Sequence, residues 1–204
     1  MIARRRFFAL TITFFSLSIS LSAFGQNAPD IPAGQNSGAE RAAVEKMAKY
    51  YGPIAATFKC PDFAWGSFLK DHAQMQIEYV PGGDNISSSP RLLTINLYPL
   101  PKDTAGQIGI MKKIQKSLLS NYGDHGKILV QQLYENAQGV PRLYIEYEIG
   151  DGVQKEHAAG AFLVLAPNIA SFVQIQERGR PLDPTDAANM KLLVEAKLKL
   201  TPPS

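Results

Sequence analysis

The sequence predicts a mixed α+β fold. Three observations point to it. Helix-start signals precede apolar residues at helical spacing near residues 38, 104 and 184. Residues 127–178 instead alternate apolar and polar side chains with a period of two. Inside that stretch Gly150-Asp151-Gly152 is a hairpin signal, so the flanking strands are expected to run antiparallel.

The chain opens with Arg4, Arg5 and Arg6. An apolar stretch from Phe7 to Leu21, diluted with Ser and Thr, follows, and Ala23-Phe24-Gly25 places small residues before Gln26. This is the three-part layout of a secretory signal peptide, so residues 1–25 are expected to be cleaved. A membrane anchor needs about 20 predominantly apolar residues. This run is shorter and broken by hydroxyls, so no stable membrane span is expected after cleavage. Arg4-Arg5-Arg6-Phe7-Phe8 also resembles a twin-arginine export signal. Residues 26–37 are polar and rich in Pro and Gly, and predict a flexible leader. Residues 38–204 are expected to form a single α+β domain.

Ser37 and Glu40 have capping-box spacing ahead of Val44, Met47, Ala48 and Tyr51, which predicts a helix over 38–51 ended by Gly52-Pro53. Residues 57–73 crowd Phe58, Phe63, Trp65 and Phe68 without a clean period. Residues 74–80 alternate Met75, Ile77 and Tyr79 with Gln74, Gln76 and Glu78, the pattern of a half-buried strand. Leu93, Ile95 and Leu97 alternate in the same way with Thr94, Asn96 and Tyr98. Asp103 caps a helix expected to reach Asn121, with Ile110, Ile114 and Leu118 on one stripe. Gly106 and Gly109 weaken its first turns and hint at a close approach. Strands follow over 128–134, 142–149, 153–166 and 169–178. The apolar run from Ala158 to Ala166 marks a strand covered on both faces. Asp183-Pro184 starts a last helix with Met190, Leu193, Val194 and Leu198 on its stripe.

The whole chain carries 21 Lys+Arg against 18 Asp+Glu. Cleavage after Gly25 removes three Arg and leaves 18 of each, so the basic surplus belongs to the leader. A nucleic-acid partner is therefore not expected. Cys60 is the one cysteine, which excludes an intrachain disulfide. A partly buried, inert thiol is the plain expectation for it; an intermolecular disulfide or a redox-active thiol are the sharper ones.

The order of elements, a strand pair, a helix, a run of antiparallel strands and a closing helix, resembles the Mog1p/PsbP-like fold over roughly residues 70–200. That resemblance implies an α/β/α sandwich, with a central antiparallel sheet flanked by helices, and an accessory or binding role. It transfers no functional residue.

Catalytic motifs are missing. His72, His125 and His157 have no chelating spacing, so no metal or other cofactor is expected. There is no nucleophile elbow and no phosphate loop. Glu146 and Glu148 share one strand face, with Glu78 and Glu156 across the sheet; a solvated face is the expected setting for them. Asn85-Ile86-Ser87 is a sequon, relevant only to a eukaryotic secretory route. Tyr144, Phe172, Gln174, Gln176 and Arg178 are placed on outward strand faces as a candidate ligand or partner surface, and Trp65 joins them as a candidate. The functional expectation is an exported, non-catalytic accessory or binding protein of the bacterial periplasm or cell exterior. Its partner would be a protein or a small molecule of the cell envelope. Alternatives are a small-molecule binder with a pocket between helix and sheet, lined by the aromatics at 58–68, and an enzyme using Cys60 or a histidine.

Overall fold

A computed structural model of the chain describes residues 37–69, 74–152, 155–166 and 168–197. Residues 1–25, residues 26–36 of the expected leader and Leu198 lie outside these residues, whereas Ser37 caps α1. The elements run in the order α1 (Gly38–Thr57), β1 (Asp62–Leu69), β2 (Gln74–Val80), β3 (Arg91–Pro99), α2 (Thr104–His125), β4 (Gly126–Glu135), β5 (Pro141–Ile149), β6 (Glu156–Ala166), β7 (Ile169–Arg178) and α3 (Pro184–Val194). The strands form one sheet in the order β1-β2-β3-β7-β6-β5-β4, with every neighbouring pair antiparallel. α1 and α3 bury their apolar stripes against one face and α2 against the other, so the fold is an α+β sandwich. Among the described residues no helix is long and apolar enough to cross a membrane.

α1 begins at the expected capping box, where Ser37 N–H donates to Glu40 Oε2 at 2.7 Å and Glu40 N–H donates to Ser37 Oγ at 3.3 Å. It continues six residues beyond the expected end. Gly52-Pro53 does not stop it, because Ile54, Ala55 and Phe58 extend the buried stripe begun by Val44, Ala48 and Tyr51. The stop is Lys59 at φ 56°, where Lys59 N–H donates to the Ala56 carbonyl and Cys60 N–H to the Ala55 carbonyl. This is a Schellman cap formed by a lysine in the place usually held by glycine. α2 similarly runs to His125, since Tyr122 prolongs the stripe of Met111, Ile114 and Leu118. Gly106 lies against its own cap residue, Asp103, whereas a side chain at Gly109 would meet open space.

Large aromatic side chains fill both cores, and most of their buried hydroxyls are paired. Tyr51 OH shares a hydrogen bond with Ser171 Oγ at 2.9 Å, and Tyr79 OH donates to the Ala48 carbonyl at 2.6 Å. Both edge strands carry a bulge, between Phe63 and Trp65 on β1 and between Ile128 and Val130 on β4. Bulges twist an edge away from pairing with another chain. β6 is buried from Ala158 to Leu163, but Val164 is exposed and Leu165 and Ala166 are half-buried, so coverage on both faces stops short of the expected end at Ala166.

β2 and β3 depart from expectation. Their alternation predicts one solvated face each, yet both are buried on both faces.

Gly160 shows how closely the α2 core is filled. A Cβ there would lie 2.6 Å from Phe172 Cζ and 3.2 Å from Ile145 Cγ2. Gly160→Ala is expected to destabilise the fold by about 1 to 3 kcal/mol through overpacking. Urea denaturation checks this, and an unchanged midpoint would show that the Phe172 ring moves aside freely.

Candidate functional site

Strand register sorts the polar side chains of the sheet onto its two faces. On the α2 side, Trp65, Glu78, Thr94 and Gln174 form one row across β1, β2, β3 and β7. The next row holds Ser67, Gln76, Asn96 and Phe172. Leu92 and Gln176 flank the first row on its other side. α2 packs mainly on β4 and β5, and its core takes in no side chain of β1 or β2. The polar side chains of this face are nevertheless buried, including Gln76, Glu78, Thr94, Asn96, Gln176 and Gln174, the last of which bonds Tyr122 of α2.

Hydrogen bonds within this face orient the amides. Gln76 Nε2 donates to Glu78 Oε1 at 2.6 Å, and Gln74 Nε2 donates to Asn96 Oδ1 at 3.3 Å. Gln174 Oε1 accepts from both Tyr122 OH, at 2.7 Å, and Tyr147 OH, at 2.9 Å. The two tyrosine rings stack with centroids 4.1 Å apart. On the same face, the buried Tyr98 hydroxyl has no hydrogen-bond partner among the described residues.

Glu78 is the chemically distinctive member. Its residue is 6% exposed, and Gln76 is its one hydrogen-bond partner among the described residues. No cation faces it. Burial pushes its carboxyl up to about 7, with the Gln76 amide opposing weakly. A buried acid without a compensating charge costs stability, and such groups concentrate at functional sites.

The other buried charges are paired. Arg91 lies on the opposite face, where it contacts Glu177 on β7 through Nη1 and Asp186 on α3 through Nη2 at 2.7 Å. Its Nε and Nη2 donate to the Phe58 carbonyl at the end of α1. Arg180 Nε donates to the second oxygen of Glu177 at 2.7 Å. Desolvation still raises the Asp186 carboxyl, and Asp186 Oδ1 is unpartnered among the described residues. On the α2 side, Arg178 Nε lies 3.6 Å from Glu156 Oε1.

Of the sequence-predicted site residues, Trp65, Phe172, Gln174, Gln176 and Arg178 share the α2-side face. Tyr144 does not. Its register partner Ala161 points to the α1/α3 side, where Tyr144 is buried and its OH contacts Glu146 Oε1 at 2.5 Å. The expectation of a common outward face is corrected for a physical reason: β5 and β7 both bury apolar side chains on both sides, so alternation alone does not say which side is outward. Phe172 is core, sealed beneath α2.

The carboxylates are corrected in the same way. Glu146 and Glu148 lie on the α1/α3 side, but Glu78 and Glu156 lie opposite, and both of these are buried rather than solvated. The aromatics at 58–68 do not line one pocket. Phe58 and Phe68 join the α1 core, Phe63 is exposed, and Trp65 alone turns to the α2 side.

Cys60 is fully buried, and desolvation pushes its thiol up to about 11 despite the neighbouring Arg91. A nucleophilic thiolate needs the opposite shift. His157 Nδ1 lies 3.1 Å from Glu148 Oε1 and His125 ends α2, while His72 lies outside the described residues. Among the described residues no three of His, Cys, Asp and Glu are grouped to hold a metal ion. No known protein-family model matches this chain, and no curated protein matches it.

Proposed function

We propose that this chain is an exported binding protein of the bacterial cell envelope that holds a small polar ligand on the Glu78 face. The observation that carries this reading is a buried carboxyl that no cation offsets among the described residues, set among buried Gln, Asn and Thr side chains. Selection for stability alone would leave apolar residues there. A few convergent polar groups on a largely apolar scaffold are the usual makings of a ligand site. The export part rests on the first 25 residues, and the accessory role on the resemblance in element order to the Mog1p/PsbP-like fold.

Native mass spectrometry of protein released gently from the periplasm tests the reading. The expected chain begins at Gln26 and carries a bound small molecule. An Asn96→Leu, Gln76→Leu double variant is expected to lose that molecule while keeping its fold. A bare mass for the native protein, or ligand retained by the double variant, would overturn the binding face. A chain that still starts at Met1 would overturn export.

A further inference from the structure

We propose that the ligand is an organic ammonium ion, with its charged head against the Glu78 carboxylate and its apolar part against Trp65. This rests on the binding reading above and goes further, to the class of ligand. Three observations support it. Glu78 and Trp65 are register partners on adjacent strands, so carboxylate and indole stand side by side on one face. An aromatic face and a carboxylate together suit a cation with an apolar body. Next, Glu78 is the one buried carboxylate of the described residues that no cationic side chain offsets, whereas Glu177 and Asp186 contact Arg91 and Glu156 lies beside Arg178. Last, the groups around it are neutral and able to accept from an ammonium. Thr94 is the register partner on β3, and Asn96 and Gln76 occupy the next row. A ligand carrying its own anion would meet an unpaired carboxylate instead.

The ionisation of Glu78 then governs affinity. No titratable group faces it from the described residues of the strands on either side: β1 presents Trp65 and Ser67, and β3 presents Leu92, Thr94 and Asn96. On β2 its same-face neighbours are Gln76 and Val80. Beyond β3, β7 presents Gln174, whose oxygen two tyrosines occupy. An ammonium ion binds the ionised form of Glu78, so affinity falls as pH drops through its titration near 7.

Trp65 is the only tryptophan of the chain, so its emission reports on this face. The test titrates n-butylammonium chloride into the full mature protein, with sodium chloride as the ionic-strength control. Association is expected to strengthen about tenfold between about pH 6 and pH 8. Glu78→Gln is expected to abolish the change in emission while remaining folded. Equal response in Glu78→Gln, or no dependence on pH, would overturn the proposal. A response to methyl α-D-glucopyranoside without one to n-butylammonium would also overturn it, leaving the binding face itself intact. If neither probe acts, the ammonium class fails, and the native mass measurement decides separately whether the face binds anything.

Discussion

Arg91→Met is expected to destabilise the protein by about 3 to 5 kcal/mol, among the largest effects of any single substitution here. Arg91 joins four elements: it sits on β3, contacts Glu177 on β7 and Asp186 on α3, and donates to the Phe58 carbonyl that ends α1. Methionine would fill much of the same volume. It would leave Asp186 and the Phe58 carbonyl without the Arg91 donor and Glu177 with its contact to Arg180, and that loss of compensating charge carries the cost. Asp186 is already raised by burial with Arg91 present. Denaturation of Arg91→Met beside the triple variant Arg91→Met, Glu177→Gln, Asp186→Asn separates charge from shape. The triple variant is expected to recover most of the loss. A loss under about 1 kcal/mol in the single variant would mean that water reaches this cluster and screens it.

Glu78→Gln is expected to do the reverse and stabilise the fold, by about 3 kcal/mol above pH 8 and by little near pH 4. The sign follows from linkage. The carboxyl moves from an ordinary 4.5 up to about 7 on folding, so the folded state holds the proton more tightly. Stability is therefore greatest below the unfolded value and falls as pH rises from about 4.5 to 7. Glutamine keeps the shape and removes the charge. Thermal melts of both proteins across this range check the prediction. Parallel pH profiles would show that Glu78 is not desolvated and would weaken the case for a site.

A residue that lowers stability at the working pH calls for a functional reason, and Arg91 and Glu78 contrast in this respect. Arg91 and its partners hold helices to the sheet. Among the described residues Glu78 bonds to no other element, and its one hydrogen bond is to a neighbour on its own strand.

Mixed α+β composition, the three helix starts and the hairpin at Gly150-Asp151-Gly152 are legible in the chain. These are local properties. Ser37, Asp103 and Asp183 announce helix starts because a side-chain oxygen reaches backbone amides within three residues, and Gly150-Asp151-Gly152 announces a hairpin by its permitted backbone angles. Where α1 and α2 stop depends on long-range packing, since burial of Phe58 and Tyr122 outweighs the local stop signals. Long-range packing also decides the fate of the polar faces. Period-two alternation tells which residues of a strand point together, but it is silent about which side another layer will cover. Glu78, Thr94 and Asn96 thus resemble solvated strand residues in sequence and become a buried polar face in space. Tyr144 and Gln174 resemble members of one surface and stand on opposite sides of the sheet. The relation between faces of different strands is a property of register, and register is set by contacts far apart along the chain.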